Sequence, residues 1–203
     1  MKKIIGILLC ITVVMGLCAC GNKEEKAKET ESTKIDIAKC DWRDTLIELD
    51  GKILHLGDTL EEVMECGFET KTELKTELKA SELTVINFTY EKNGQTETIC
   101  MGLKNNSKET ANIKNSTLEN FSFSNWLYEK FEVVLPGGVK LSKETRIADI
   151  VDKWGEYSEK VSGDPYSAYI WTIDGNNLTF TTNNETGEIK QISYTGPSTV
   201  IGK

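Results

Sequence analysis

A chain of 203 residues with 24 basic and 32 acidic side chains carries a formal charge of −8. That excess of acid excludes the basic stripe that polyphosphate binding needs and a broad polybasic patch for anionic lipid, so nucleic acid is not an expected partner. Lysine outnumbers arginine 22 to 2, a usage associated with low-GC genomes and, through them, with Gram-positive bacteria.

Lys2 and Lys3 precede an uncharged run from Ile4 to Leu17, the charged start and apolar middle of a secretory signal. The run is too short to span a bilayer as a permanent helix. Its end, Leu17-Cys18-Ala19-Cys20-Gly21, resembles a lipobox, Leu-x-Ala/Gly-Cys, through Leu17, Ala19 and Cys20. The resemblance implies removal of residues 1–19, a diacylglyceryl group on the Cys20 thiol, and an extracytoplasmic protein held to the cell membrane by lipid. Each buried lipid methylene contributes about 0.8 kcal/mol, so a two-chain anchor holds where a single chain does not. Residues 20–40 are then the anchor and a flexible tether. Five lysines face five acids between Gly21 and Lys39, with few apolar side chains, too few to offset the entropy of ordering.

Loss of Lys2 and Lys3 leaves 22 basic residues against 32 acidic ones, a formal charge of −10. Cys10 and Cys18 leave with the signal and Cys20 is capped, so Cys40, Cys66 and Cys100 remain, from which at most one of three pairs can form. Their wide spacing offers no metal cluster. About 160 residues follow the tether, room for one ordinary domain or two small ones.

In chain order, Leu46-Ile47-x-Leu49 turns at Asp50-Gly51, a hairpin signal. Thr59 and Glu62 make a capping box for a short helix with a Leu60, Val63 and Met64 stripe, closed by Gly67. Ile86, Phe88 and Tyr90 alternate up to an Asn93-Gly94 turn; Ile99, Met101 and Leu103 alternate back, and Leu118, Phe121 and Phe123 give a third strand. The same series then recurs. Asn125-Trp126 answers Asp41-Trp42, and Leu135-Pro136-Gly137-Gly138-Val139 answers Leu49-Asp50-Gly51-Lys52-Ile53, at spacings of 84 to 86. A helix with Ile147, Ile150, Val151 and Trp154, closed by Gly155, precedes strands holding Tyr169, Trp171 and Ile173, then Leu178 and Phe180, then Ile192 and Tyr194.

The expected fold class is α+β, two tandem repeats at 41–124 and 125–203, each a short helix or helix pair packed on an antiparallel β-meander. One face of each sheet is apolar. The other carries Asn87, Thr89, Asn120 and Ser122 in the first unit and Thr179, Thr181, Gln191 and Ser193 in the second, the pattern of a one-sided sheet. The Gly57-x-Thr59 helix start, the closing glycine, Tyr169-x-Trp171 and Gly187-Glu188-Ile189 are similar to the β-lactamase-inhibitory-protein-like fold, which the small lipoprotein of the outer-membrane barrel-assembly machinery shares and which secreted inhibitors carry in tandem. The chain departs from that pattern where Phe68 and Glu156 follow the closing glycines, where no glycine precedes Thr145, and in lacking a cysteine pair per repeat. The resemblance therefore implies a fold and no specific inhibitory activity.

Catalytic chemistry finds little purchase. His55 is the only histidine, without a second for zinc and without a ready triad. Glu61 and Glu62 suit the first turn of a helix, and Asp174 suits a hairpin turn. Pro136-Gly137-Gly138 joins strand to strand, unlike a phosphate loop, and Asn183-Asn184-Glu185-Thr186-Gly187 lacks the ordered acids of a calcium loop. Neither metal nor cofactor is expected, nor is the chain expected to be an enzyme. Two candidate binding places remain: the polar sheet face with Thr179, Thr181 and Gln191, and the segment Glu156 to Tyr166, where Tyr157, Asp164 and Tyr166 are placed on a loop. Tyr157 and Tyr166 could instead fold back on the core, and the matched positions of Trp42 and Trp126 favour packing for both. The function expected is a non-catalytic binding or assembly module for another envelope or extracellular protein, or an envelope polymer. The alternatives are a surface hydrolase using carboxylates and a small solute-binding lipoprotein.

Overall fold

The computed structural model describes residues 35–197; the signal segment, Cys20 and most of the expected tether lie outside them. The described residues include the end of that expected tether. The Asp36 carboxylate accepts from the Ala38 N–H and opens a 3-10 turn, Ile37–Lys39, whose Ile37 is buried. An apolar side chain within the segment expected as tether is thus docked on the folded part. Asp41 and Asp44 cap a second 3-10 turn, Trp42–Asp44.

Strands β1 (Leu46–Leu49) and β2 (Lys52–His55) form a hairpin whose Asp50 and Gly51 both take positive φ, 50° and 85°. That turn matches the right-handed twist of its strands. Helix α1 (Leu60–Glu65) starts at Thr59, which donates its N–H to Glu62 at 2.7 Å while its hydroxyl accepts from the Glu62 N–H at 3.3 Å. Leu60 and Val63 are buried, but Met64 is exposed, contrary to the expected stripe. A helix of fewer than two turns covers the core with one i, i+3 pair, and Met64 is left over a depression shared with Leu74 and Ile113.

Next come β3 (Phe68–Glu69), β4 (Glu77–Leu78), β5 (Leu83–Lys92), β6 (Gln95–Lys104), β7 (Ala111–Asn112) and β8 (Thr117–Ser124). After them follow α2 (Asn125–Lys130), β9 (Val133–Leu135), β10 (Val139–Lys140) and α3 (Ile147–Trp154). The chain ends in β11 (Glu159–Ser162), β12 (Tyr166–Ile173), β13 (Asn176–Asn183) and β14 (Ile189–Thr195). The fold is mixed α+β with antiparallel sheets and few helices. One sheet has eight strands, β11-β12-β13-β14-β8-β6-β5-β3, a second has four, β10-β9-β1-β2, and a third pairs β4 with β7. The larger sheet takes its two halves from either side of residue 124, and they meet where β14 pairs with β8, from Gln191↔Ser124 to Thr195↔Asn120. The smaller one is joined the same way, Leu49 pairing with Val133.

Alternation decides which face is which. Ile86, Phe88, Ile99, Met101, Phe121, Phe123, Trp171, Phe180, Ile192 and Tyr194 all enter one core. Trp42 is buried too, but its sequence counterpart Trp126 is 62 % exposed, because Leu127 and Tyr128 occupy the inner side of α2 and Phe131 follows them inward at its C-cap. Asp50 ties distant segments together: its carboxylate accepts from the Tyr90 hydroxyl at 3.0 Å and the Glu132 N–H at 3.2 Å, and lies 3.2 Å from the Lys92 ammonium. Its own N–H donates to the Glu132 carbonyl at 2.8 Å.

Asp50→Ala removes a charged hydrogen-bond acceptor and puts a Cβ-limited residue at positive φ, so unfolding in urea should show a loss of about 3 kcal/mol; a change within 0.5 kcal/mol (roughly the surface-substitution range) would refute this account. Burial first, and the Asp50 hydrogen bond second, push the Tyr90 phenol up to about 12, and burial likewise raises Tyr128 and Tyr194. A raised folded value favours the neutral phenol, so this stability is complete below the unfolded phenol value near ~10 and is lost above it. The denaturant midpoint should accordingly fall as pH rises through about 12; a midpoint level across that window would contradict it.

Candidate functional site

Because side chains alternate along a strand, the outer face of the large sheet follows directly from register. One row across it runs Ala168, Thr181, Gln191, Ser124. The next runs Ile170, Thr179, Ser193, Ser122, Cys100, Asn87, and a third runs Thr172, Asn177, Thr195, Asn120, Gly102, Val85. These rows cross the β14–β8 junction without a break. At Gly102 a Cβ would collide with the Asn120 amide, so the absence of a side chain there lets Asn120 lie across β6. The centre of the face is fixed by two hydrogen bonds, Gln191 Nε2 to Ser122 Oγ at 2.6 Å and Ser193 Oγ to Ser122 Oγ at 3.0 Å.

An open depression of about 450 Å³ lies on this face, and Tyr166, Thr181, Gln191, Ser122, Thr98 and Asn87 are among its lining residues. Of the residues singled out in the sequence, Tyr166, Thr181 and Gln191 are therefore brought together, with Thr179 one row away. Tyr157 and Asp164 are not part of it. The segment expected as a loop from Glu156 to Tyr166 is largely a hairpin, β11 returning into β12 with Val161 paired to Ala168. Backbone pairing makes a strand there even though all four β11 side chains are exposed and carry no apolar alternation. Tyr157 folds back onto the core, edge-on to Tyr169 at 5.0 Å and to Trp171 at 5.8 Å. Asp164 sits at the hairpin tip before Pro165, whose peptide bond is cis.

Tyr166 is 47 % exposed, and the chain around it is cross-braced. Asn184 donates its side-chain Nδ2 to the Gly163 carbonyl at 2.6 Å and its N–H to the Pro165 carbonyl at 2.9 Å, and its Oδ1 accepts from the Ser167 hydroxyl at 2.7 Å. Thr98, Cys100, Ser124 and Lys190 also border the depression and were not expected from sequence as binding residues. The signal for the first two is the parity of β6, where Thr98 and Cys100 alternate with the core residues Ile99, Met101 and Leu103.

Elsewhere the titratable groups have local employment. The Asp58 carboxyl, pushed up mainly by burial, accepts from the His55 N–H at 2.7 Å, while its other oxygen lies 3.8 Å from His55 Nδ1. Hydrogen bonds from Thr59 hold the Glu62 carboxyl below its usual range. The Lys190 ammonium, and then Asn125, do the same for Glu188. Cys40, Cys66 and Cys100 are unpaired, and burial pushes the Cys66 thiol, which donates to the Ile53 carbonyl at 2.9 Å, up to about 11. Among the described residues no group of three or more His, Cys, Asp or Glu side chains could hold a metal ion, and no helix is long and apolar enough to cross a membrane. No protein-family model, curated protein or solved structure matches the chain.

The two tyrosines of the hairpin should separate cleanly under mutation. Tyr157→Ala removes two edge-on ring contacts and should cost about 1–3 kcal/mol in denaturant unfolding, whereas Tyr166→Ala should stay within about 0.5 kcal/mol of the parent. Equal losses at both positions would mean that Tyr166 is a packing residue.

Proposed function

We propose that the chain is an extracytoplasmic lipoprotein, anchored to the cell membrane through lipid on Cys20. Its folded part, two tandem β-lactamase-inhibitory-protein-like units, acts without catalysis as a binding or assembly module for an envelope protein or polymer. The lipobox resemblance supports the anchor. The duplication is supported by the order of the large sheet, which from its centre outwards runs β8-β6-β5-β3 on one side and β14-β13-β12-β11 on the other. Equivalent hairpin turns at Asn93-Gly94 and Asp174-Gly175, and positive φ at both Gly67 and Gly155, agree with it.

One observation carries the functional reading: the two halves join edge to edge, so that a single polar face spans both. A merged surface is larger than either unit offers, and the residues that line its depression are held by strands instead of mobile loops. Rigid strands keep low the ordering cost of binding.

Two experiments bear on this. Cys20→Ser should abolish incorporation of labelled palmitate and remove the protein from the membrane fraction; unchanged labelling would remove the anchor from the proposal. In a pull-down from native envelope with the full-length protein in detergent, a specific partner should be lost on Thr181→Arg, which plants a charge in the face. A partner retained by that variant would place the site elsewhere, and turnover of an envelope polymer lost on changing one carboxylate would replace the binding module with a hydrolase.

A further inference from the structure

We infer that the partner held on the outer sheet face is a neutral, polyhydroxylated envelope polymer, a glycan strand that lies across β12, β13, β14, β8 and β6 with one sugar ring against Tyr166. This rests on the reading of that face as the binding surface and names its occupant.

Charge is the first argument. In a chain with 28% charged residues, none of the side chains in the three rows from β12 to β5 is charged. The nearest charge on the depression, Lys190, is committed to Glu188. A polymer bearing phosphates or carboxylates would find no counter-charge across these rows. A protein would find none of the cluster of aromatic, Met and Arg side chains that marks the core of protein interfaces. The exposed apolar residues of the face, such as Val85, stand at its margins.

Hydrogen-bonding capacity points the same way. Among the described residues, the hydroxyls of Thr98, Ser124, Thr179 and Thr181 and the side-chain amide of Asn87 make no hydrogen bond within the protein, whereas Ser122, Ser193 and Gln191 are linked to one another. Hydroxyl and amide groups both donate and accept, as do sugar hydroxyls, so a neutral glycan can pair with such an array in either direction. Each short side chain also has little rotamer entropy to lose compared with Lys, Arg or Glu.

The aromatic ring points there as well. Tyr166 is half-exposed and lines a depression of about 450 Å³, within the range of small-ligand sites. A pyranose presents an apolar C–H face with hydroxyls around its rim, which fits an aromatic flanked by hydroxyls and amides. The Asn184 bonds to Gly163, Pro165 and Ser167 brace the hairpin from which the ring projects.

The test uses the full-length protein in detergent, with affinity electrophoresis against the neutral and the charged polysaccharide fractions of the envelope. The neutral fraction should retard it and the charged fraction should not. Tyr166→Ala should weaken retardation about tenfold, Tyr166→Phe should keep it, and Thr181→Arg should abolish it, each variant still unfolding cooperatively at the parent temperature. Retardation by neither fraction, by the charged fraction alone, or equally in Thr181→Arg overturns the inference. If the neutral fraction fails while an envelope protein is captured and lost on Thr181→Arg, the glycan is wrong and the binding face stands; if both fail, the face itself is wrong.

Discussion

The pairing of β8 with β14 is the constraint on which everything else hangs. Each strand is the innermost member of its own meander, and without the other each would present an open edge of unpaired N–H and C=O groups at the centre of the molecule. Their union is reinforced from the core side, where Phe121 and Tyr194 stack with ring centroids 4.6 Å apart. Tyr194 then reaches through the core to donate its hydroxyl to the Leu46 carbonyl at 3.2 Å, coupling the large sheet to the small one. The smaller sheet repeats the device, since β1 and β9 come from opposite halves, and Asp50 sits at that second seam with bonds to Glu132 and Tyr90. Each half therefore completes the other, and separating them would expose four strand edges and a stacked aromatic pair at once.

How much of this was written in the sequence depends on the range of the interaction. Local signals carried well: Asp50-Gly51 and Asn93-Gly94 both turn with positive φ, and Thr59 with Glu62 caps its helix. Two-residue alternation placed Ile86, Phe88 and Tyr90 inside and Asn87 and Thr89 on the other face. What failed was set by distant partners. Nothing in Val133-Val134-Leu135 announces that it will pair with Glu48 and Leu49. Glu159 to Ser162 looks like loop because its single apolar side chain, Val161, makes no alternation, yet the neighbouring strand supplies its hydrogen bonds. Tyr157 and Tyr166, treated together from sequence, part company because one lies over Tyr169 and the other begins an outward-facing position of β12. Trp126 and Met64 show a related limit: on helices of six residues, which side is inner is decided by the sheet beneath.

The distribution of charge complements the uncharged face. Lysines and acids pair outside those three rows, as Lys130 of α2 does with Glu97 at 2.6 Å and Lys143 with Glu129 of α2 at 3.1 Å. Exposed pairs of this kind contribute only about 0–1 kcal/mol each; their consequence here is positional. Net charge sufficient for solubility is carried elsewhere, which leaves the three rows across the sheet free of any side chain that a neutral partner would have to desolvate at high cost.

The sheet does not close on itself, so β11 ends it with one backbone edge facing solvent. Glu159 and Lys160 project to opposite sides of that strand, with the Lys160 ammonium 5.0 Å from the Tyr169 ring centroid. A neighbouring strand approaching this edge meets a carboxylate from above and an ammonium from below, and four residues give it little length to zip along. A short edge guarded on both sides therefore disfavours the addition of a further strand from another chain.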